Sequence, residues 1–309
     1  MTAHVSRGTV ARRRSRTIEW PSLALSAAIY GGFAVVTFFH QHMPTLLVAM
    51  LGSILVAWHS SMQHEFIHGH PTPSRKINRL LGFVPLSLWL PFESYRMSHL
   101  VHHCDDALTD PLDDPETYYW TAEQWAAIGP IGRAIVHIHT TLAGRLVIGP
   151  AWNISRYLLS EAKLLAKGNR VHKRIWAWHA LGCAAVLFWV VGVCHMNIAF
   201  YLFCIVYPGT ALLLLRSFAE HRAEEGVFER TAIVENSWFF GPLFLFNNLH
   251  AAHHERPLMP WYELPGWYKI NRDRLLAANG GLVYDGYGEV VRRFLFTPHD
   301  VNVHPFDKP

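Results

Sequence analysis

Charge is what this chain has least of. Asp, Glu, Lys and Arg make up 16% of its 309 residues, well under the roughly 25% usual in soluble proteins. An ordinary water-soluble domain is a poor account of so apolar a chain. Cysteine is scarce as well: Cys104, Cys183, Cys194 and Cys204 contain no C-x-x-C pair, so neither a disulfide framework nor a zinc ribbon follows. There is no P-loop, no G-x-G-x-x-G, no internal repeat and no low-complexity tract, so nucleotide-fold and solenoid readings have no foothold.

What the chain has instead is length of apolar sequence. Four uncharged runs, Pro21 to Phe39, Pro44 to Gln63, Ile175 to Cys194 and Asn197 to Leu215, approach the roughly 20 residues needed to cross a hydrocarbon core. All 27 Lys and Arg lie before the first run, between the second and third, or from Arg216 onward. The turns His40 to Met43 and His195 to Met196 carry no charge. The positive-inside rule then places those turns outside and everything else, both termini included, in the cytoplasm. The expected fold class is an all-α integral membrane protein: four transmembrane helices in two hairpins, with a cytoplasmic helical cap over 64–174 and 216–309 that holds a di-metal site.

Residues 1–20 form a basic arm with Arg12, Arg13, Arg14 and Arg16. The apolar run behind it is longer than a signal-peptide core and lacks an A-x-A-like exit, so it reads as an uncleaved first span. Topology and anionic lipid explain the arginines, and nucleic acid is not an expected partner. Residues 21–309 are expected to form one domain.

Histidine supplies the chemistry. His250, His253 and His254 follow H-x-x-H-H, His99, His102 and His103 repeat that spacing, and His64 and His68 give H-x-x-x-H. On a helix turning about 100° per residue, positions i, i+3 and i+4 share a face. Each triplet therefore looks like half of a metal site. Two such triplets plus a pair make coincidence a poor explanation. Span topology brings all three boxes to one membrane boundary, where His221 also falls, just past the fourth span. Asp106, in the acidic loop Asp105 to Glu116, and Asn248, beside the third box, are candidates to orient a ligand without binding metal. His70 is placed in that same role or at the surface, and His59 reads as a packed or hydrogen-bonded residue within the second span.

The remaining segments frame these boxes. Leu80 to Phe92, broken by Pro85 and Pro91, is too short to cross and is expected to be an interfacial or re-entrant helix. Residues 121–174 read as amphipathic helices on the inner leaflet, with His137, His139 and His172 as surface histidines. The aromatic tail from Pro257 reads as a folded cap.

Nine imidazoles exceed the four ligands of one tetrahedral zinc but suit two metals with open positions. Imidazole binds iron, copper, zinc and nickel alike, so ligand type does not choose the metal. A site beside the bilayer favours redox iron acting with dioxygen. One rival is explicit: His64, Glu65, Phe66, Ile67, His68 spells H-E-x-x-H, the zinc-protease helix motif. That reading leaves both H-x-x-H-H boxes idle. A metal transporter should instead carry ligands within the bilayer path.

The boxes between two helical hairpins, from about Trp58 to Pro305, resemble the membrane fatty-acid desaturase and hydroxylase superfamily. The wording H-E-F-I-H-G-H-P, H-H-C-D-D through D-P-L-D-D-P-E, and N-N-L-H-A-A-H-H-E-R-P is similar to a bacterial branch of fatty-acid desaturases, carotenoid ketolases and the dihydrorhizobitoxine desaturase. The resemblance implies two iron ions held by His64, His68, His99, His102, His103, His221, His250, His253 and His254. It also implies use of dioxygen and two electrons on a lipid or acyl chain, in a bacterial inner membrane. Desaturation is the expected outcome, with hydroxylation or ketone formation on a lipid or carotenoid as the alternative. No H-P-G-G haem signature is present, so electrons are expected from a separate ferredoxin, rubredoxin or cytochrome b5-like donor. Two positions depart from the pattern. Box one has three intervening residues where some acyl desaturases have four, and Ser217 stands where some relatives hold a metal-bound water with asparagine.

Overall fold

The computed structural model describes residues 17–306, so most of the basic arm lies outside the described residues. Helices dominate. The first hairpin is α1 (Trp20–Phe38) and α2 (Thr45–His68), the latter ending where Gly69 takes φ +100°, a left-handed geometry that favours glycine. Next come α3 (Arg75–Gly82), α4 (Phe92–His102), α5 (Ala122–Ala127), α6 (Pro130–His139), α7 (Leu142–Val147) and α8 (Gly149–Ala166). The second hairpin is α9 (Arg170–Val193) and α10 (Ile198–Phe218). Four short or medium elements complete the cap: α11 (Phe240–Leu243), α12 (His250–Glu255), α13 (Leu264–Ala278) and α14 (Gly286–Phe294).

Four helices are long and apolar enough to cross a membrane, and they are the four expected spans with ends shifted by a few residues. The chain is an integral membrane protein by that measure. Val35, Leu46, Met50, Phe188 and Phe203 are exposed on these helices, as suits a surface solvated by acyl chains rather than water. The two uncharged turns meet at one end, where Met43 and Met196 share a cluster with Val48 and Val190. Trp189 Nε1 donates to Thr37 Oγ1 at 2.9 Å and ties the hairpins there.

α2 is central, packing on both α1 and α10. Its contact with α10 is close because glycines face bulk. A Cβ on Gly52 would lie 2.8 Å from the Ile205 side chain, and one on Gly209 would lie 2.9 Å from the Ser53 carbonyl and Val56. Small residues at such crossings let two helices gain van der Waals contact where lipid supplies no hydrophobic drive.

The segment expected as a helix over Leu80 to Phe92 differs. Helix α3 stops at Gly82, and the rest is irregular backbone buried among the spans. Two prolines remove the donors a helix would need, and side chains serve the carbonyls instead. Gln63 Nε2 donates to Gly82 O at 2.7 Å, the Tyr201 hydroxyl donates to Leu86 O, and His179 Nε2 lies 2.8 Å from Leu88 O. Irregular backbone at membrane depth is tolerated where protein satisfies it in this way.

At the other end of the bundle, a parallel pair, β1 (Ile233–Val234) and β2 (Val283–Tyr284), braces the cap. Val234 N donates to Asn248 O at 2.8 Å and Ala251 N to Ala232 O at 3.1 Å, fixing the approach to α12. Leu245 and Phe246 take φ +51° and +57° just before it, an uncommon backbone for non-glycine residues. Packing holds them there. Leu245 is buried, and Phe246 stacks on Trp261 with ring centres 6.3 Å apart.

Candidate metal centre

All nine expected histidines converge, and they divide into two groups. His64 and His68 from the end of α2, His99 and His103 from the end of α4, and His253 from α12 place ligand atoms within 4.8 Å of one another. His102, His221, His250 and His254 form a second group to the same limit. The H-x-x-H-H triplet is thus not half of one site. In α4 the i and i+4 residues, His99 and His103, serve the first group and His102 serves the second. In α12 the assignment reverses: His250 and His254 serve the second group and His253 the first. A residue at i+3 lies about 60° from i around a helix, enough to aim its ring at a neighbouring centre. His103 and His254 stack at 4.4 Å between ring centres, where the two groups adjoin.

Four of the nine rings have their outward nitrogens anchored. His102 Nδ1 lies 2.9 Å from Asp114 Oδ1, and His99 Nδ1 lies 3.1 Å from Glu116 Oε1. His221 Nδ1 faces the Arg230 carbonyl at 3.2 Å. His250 Nδ1 faces the Asn247 carbonyl and side-chain oxygens, each at 3.3 Å, with Glu220 Oε1 at 3.4 Å. An oxygen acceptor there assigns the proton to Nδ1 and leaves a lone pair on Nε2. Yet His221 Nε2 and His250 Nε2 are only 2.8 Å apart. Two lone pairs at that distance repel unless a cation sits among them, so the donor set fits a metal ion. His64 Nε2, buried without a hydrogen-bond partner, would be satisfied by the same means.

Electrostatics agree. Burial, then the neighbouring rings, hold His99, His250, His253 and His254 well below the ordinary imidazole range, and His221 is lowered to about 3. Neutral imidazole is the form that ligates. His102 goes the other way: burial opposes its charge, but Glu116, Asp114 and Glu220 outweigh burial and raise it to about 9. Asp114, Glu116 and Glu220 thus put negative charge beside His102.

Three residues expected to orient ligands do not. Asp106 is exposed and makes no hydrogen bond to the nine histidines; Asp114 and Glu116, farther along the same loop, do that work. Asn248 donates to Val234 O at 2.7 Å, whereas its neighbour Asn247 reaches His250 and donates to Glu220 Oε1 at 3.0 Å. His70 is buried, with Nδ1 2.7 Å from Glu19 Oε1, and belongs to neither group. His139 is buried and not a surface residue. Ser217 turns its hydroxyl to the Leu214 carbonyl at 3.4 Å. His59 is hydrogen-bonded as expected, 3.1 Å from the Tyr30 hydroxyl.

The H-E-x-x-H rival fails on geometry. Its two histidines share their centre with His99, His103 and His253. Glu65, about 100° around α2 from His64, instead accepts from Trp261 N at 3.1 Å.

Fold and site together define a helical membrane protein with two adjoining histidine centres at one end of its spans. The family model for fatty acid desaturase matches residues 40–287, and the chain belongs to that family, an oxidoreductase family acting on lipids. No curated protein matches it.

Proposed function

We propose that this protein is a membrane di-iron desaturase, with one iron held by His64, His68, His99, His103 and His253 and the other by His102, His221, His250 and His254. The observation that carries this reading is the partition of nine imidazoles, six buried and three partly buried, into groups of five and four. A single hydrolytic ion has no use for the second group. Paired redox ions do, because activating dioxygen for C–H oxidation draws on two electrons per turnover, and iron supplies that chemistry when bound.

The chain's own residues hold and aim the donors. Asp114, Glu116, Glu220 and Asn247 keep protons on the outward nitrogens, so the inward ones stay available and the rings stay in register. Burial keeps bulk water from the reacting carbon. The lipid or acyl substrate lies against this end of the bundle. In this reading the protein sits in a bacterial inner membrane with the cap and both termini in the cytoplasm, a side that the distribution of Lys and Arg supports, and an external ferredoxin, rubredoxin or cytochrome b5-like donor docks there. Mass spectrometry of lipids from cells with and without the gene tests the reaction. A loss of two mass units is expected; a gain of sixteen marks hydroxylation, a gain of fourteen ketone formation, and an unchanged profile overturns the reading.

A further inference from the structure

A cavity of about 90 Å³ lies beside the metal centre, between α6, α7, α8 and the loop preceding α5. Its lining combines two arginines, Arg145 and Arg156, with His139, Trp120, Trp152 and Glu116. We propose that this cavity takes the anionic end, carboxylate or phosphate, of the lipid chain on which the metal centre acts. The inference rests on the proposed function and deepens it.

The arginines are the reason. Arg145 is 4% exposed, its Nε donates to the His139 carbonyl at 3.3 Å, and its guanidinium lies 5.1 Å from the Tyr118 ring centre and 5.6 Å from that of Phe218. Among the described residues it has no carboxylate partner, and burial lowers its affinity for the proton. An uncompensated buried cation is costly and persists where something neutralises it. Arg156 is exposed, its guanidinium 5.1 Å from the Trp120 ring centre and 5.9 Å from that of Trp152, again without a carboxylate partner among the described residues. His139 is 5% exposed and its Nε2 is buried with no hydrogen-bond partner, a further donor for an anionic oxygen. The one lining carboxylate, Glu116, is engaged by His99 Nδ1 at 3.1 Å. Two cations and an idle imidazole around a space for several water-sized groups match a carboxylate or phosphate head.

Position gives the proposal a consequence. A single residue, Glu116, separates the cavity from the ligand candidate His99, so a head group seated there fixes the distance from the anionic end to the metals. Oxidation is then counted from the head group, and lengthening the chain moves only its far end.

Binding to the full-length protein in nanodiscs, measured by isothermal titration calorimetry, tests this without turnover. The probes are palmitate, palmitoyl lysophosphatidate, inorganic phosphate and hexadecanol. The anionic amphiphiles should bind at least about tenfold more tightly than hexadecanol, the preference a charge-assisted contact supplies. Tighter palmitate assigns a carboxylate and tighter lysophosphatidate a phosphate; inorganic phosphate binding as well as either lipid overturns the proposal. Arg156→Gln should lose about tenfold for the anionic probes only, and Arg156→Lys should recover part of it. Arg145→Gln should behave likewise; Arg156 carries the test if that variant fails to fold. Equal binding of hexadecanol, or no effect of Arg156→Gln, sinks the inference. In a palmitate and stearate pair, oxidation should fall at one distance from the head group, and a site fixed from the methyl end contradicts it. Head-group binding in a protein without iron would sink the proposed function alone.

Discussion

Asp114 does more for the metal centre than its place in a solvated-looking loop suggests. Its Oδ1 accepts from Glu116 N at 2.9 Å and faces His102 Nδ1, while its Oδ2 accepts from Thr109 N at 2.9 Å. The carboxylate is thus fixed before it fixes the histidine. Asp114→Asn should weaken metal binding about 10- to 100-fold with little loss of folded protein, read by competition with a chelator. The two groups should also be separable. His68→Ala should cost metal from the five-histidine group, and His254→Ala from the four-histidine group. Each should leave close to one metal per chain and no turnover, measured by elemental analysis of the purified variants. Ligand spacing makes eight of the nine histidines legible in sequence, and His221 is legible by its place just past the fourth span. Their outward partners were not, because Asp114, Glu116 and Asn247 sit in loops where no period announces direction, and Asp106 and Asn248 were equally plausible neighbours.

At the scale of elements, helix spacing says which residues share a face but not what that face meets. The opposite division of the triplets in α4 and α12 depends on how those helices confront each other and α2, and no single motif contains that. The spans were readable because length and lack of charge are sufficient signals for crossing a bilayer. The stretch from Phe83 to Pro91 reads as helix in sequence but is irregular, because the side chains that serve its carbonyls and that of Gly82, such as Gln63, Tyr201 and His179, come from distant helices. The α2–α10 contact gives a prediction at this scale. Gly52→Leu must displace Ile205, and overpacking of this kind costs about 1 to 3 kcal/mol. Since α2 carries His64 and His68, the variant should lose thermal stability and metal together. Retention of both would mean the helices are not held by that crossing.

For the whole molecule, the cap and the spans form one support for a centre built from α2, α4, α12 and the segment after α10. The cap should be acid-labile. His139, lowered to about 2 by burial and then Arg145 and Arg156, and His299, lowered to about 3 by burial and then Arg145, Arg222 and Arg293, are both neutral when folded. Unfolding returns each toward its ordinary value of 6.5, so the unfolded chain binds more protons between about 3 and 6.5. Stability from these groups is complete above pH 6.5 and falls as pH drops through that window. Thermal unfolding followed from pH 8 to 4.5 should show a declining midpoint below 6.5, and a flat profile would place these rings in water. The most direct test of the central claim is the metal content of protein purified from membranes, measured together with its iron spectroscopy. The account predicts close to two irons per chain, coupled as a pair. One zinc per chain, with proteolysis requiring Glu65, would contradict it.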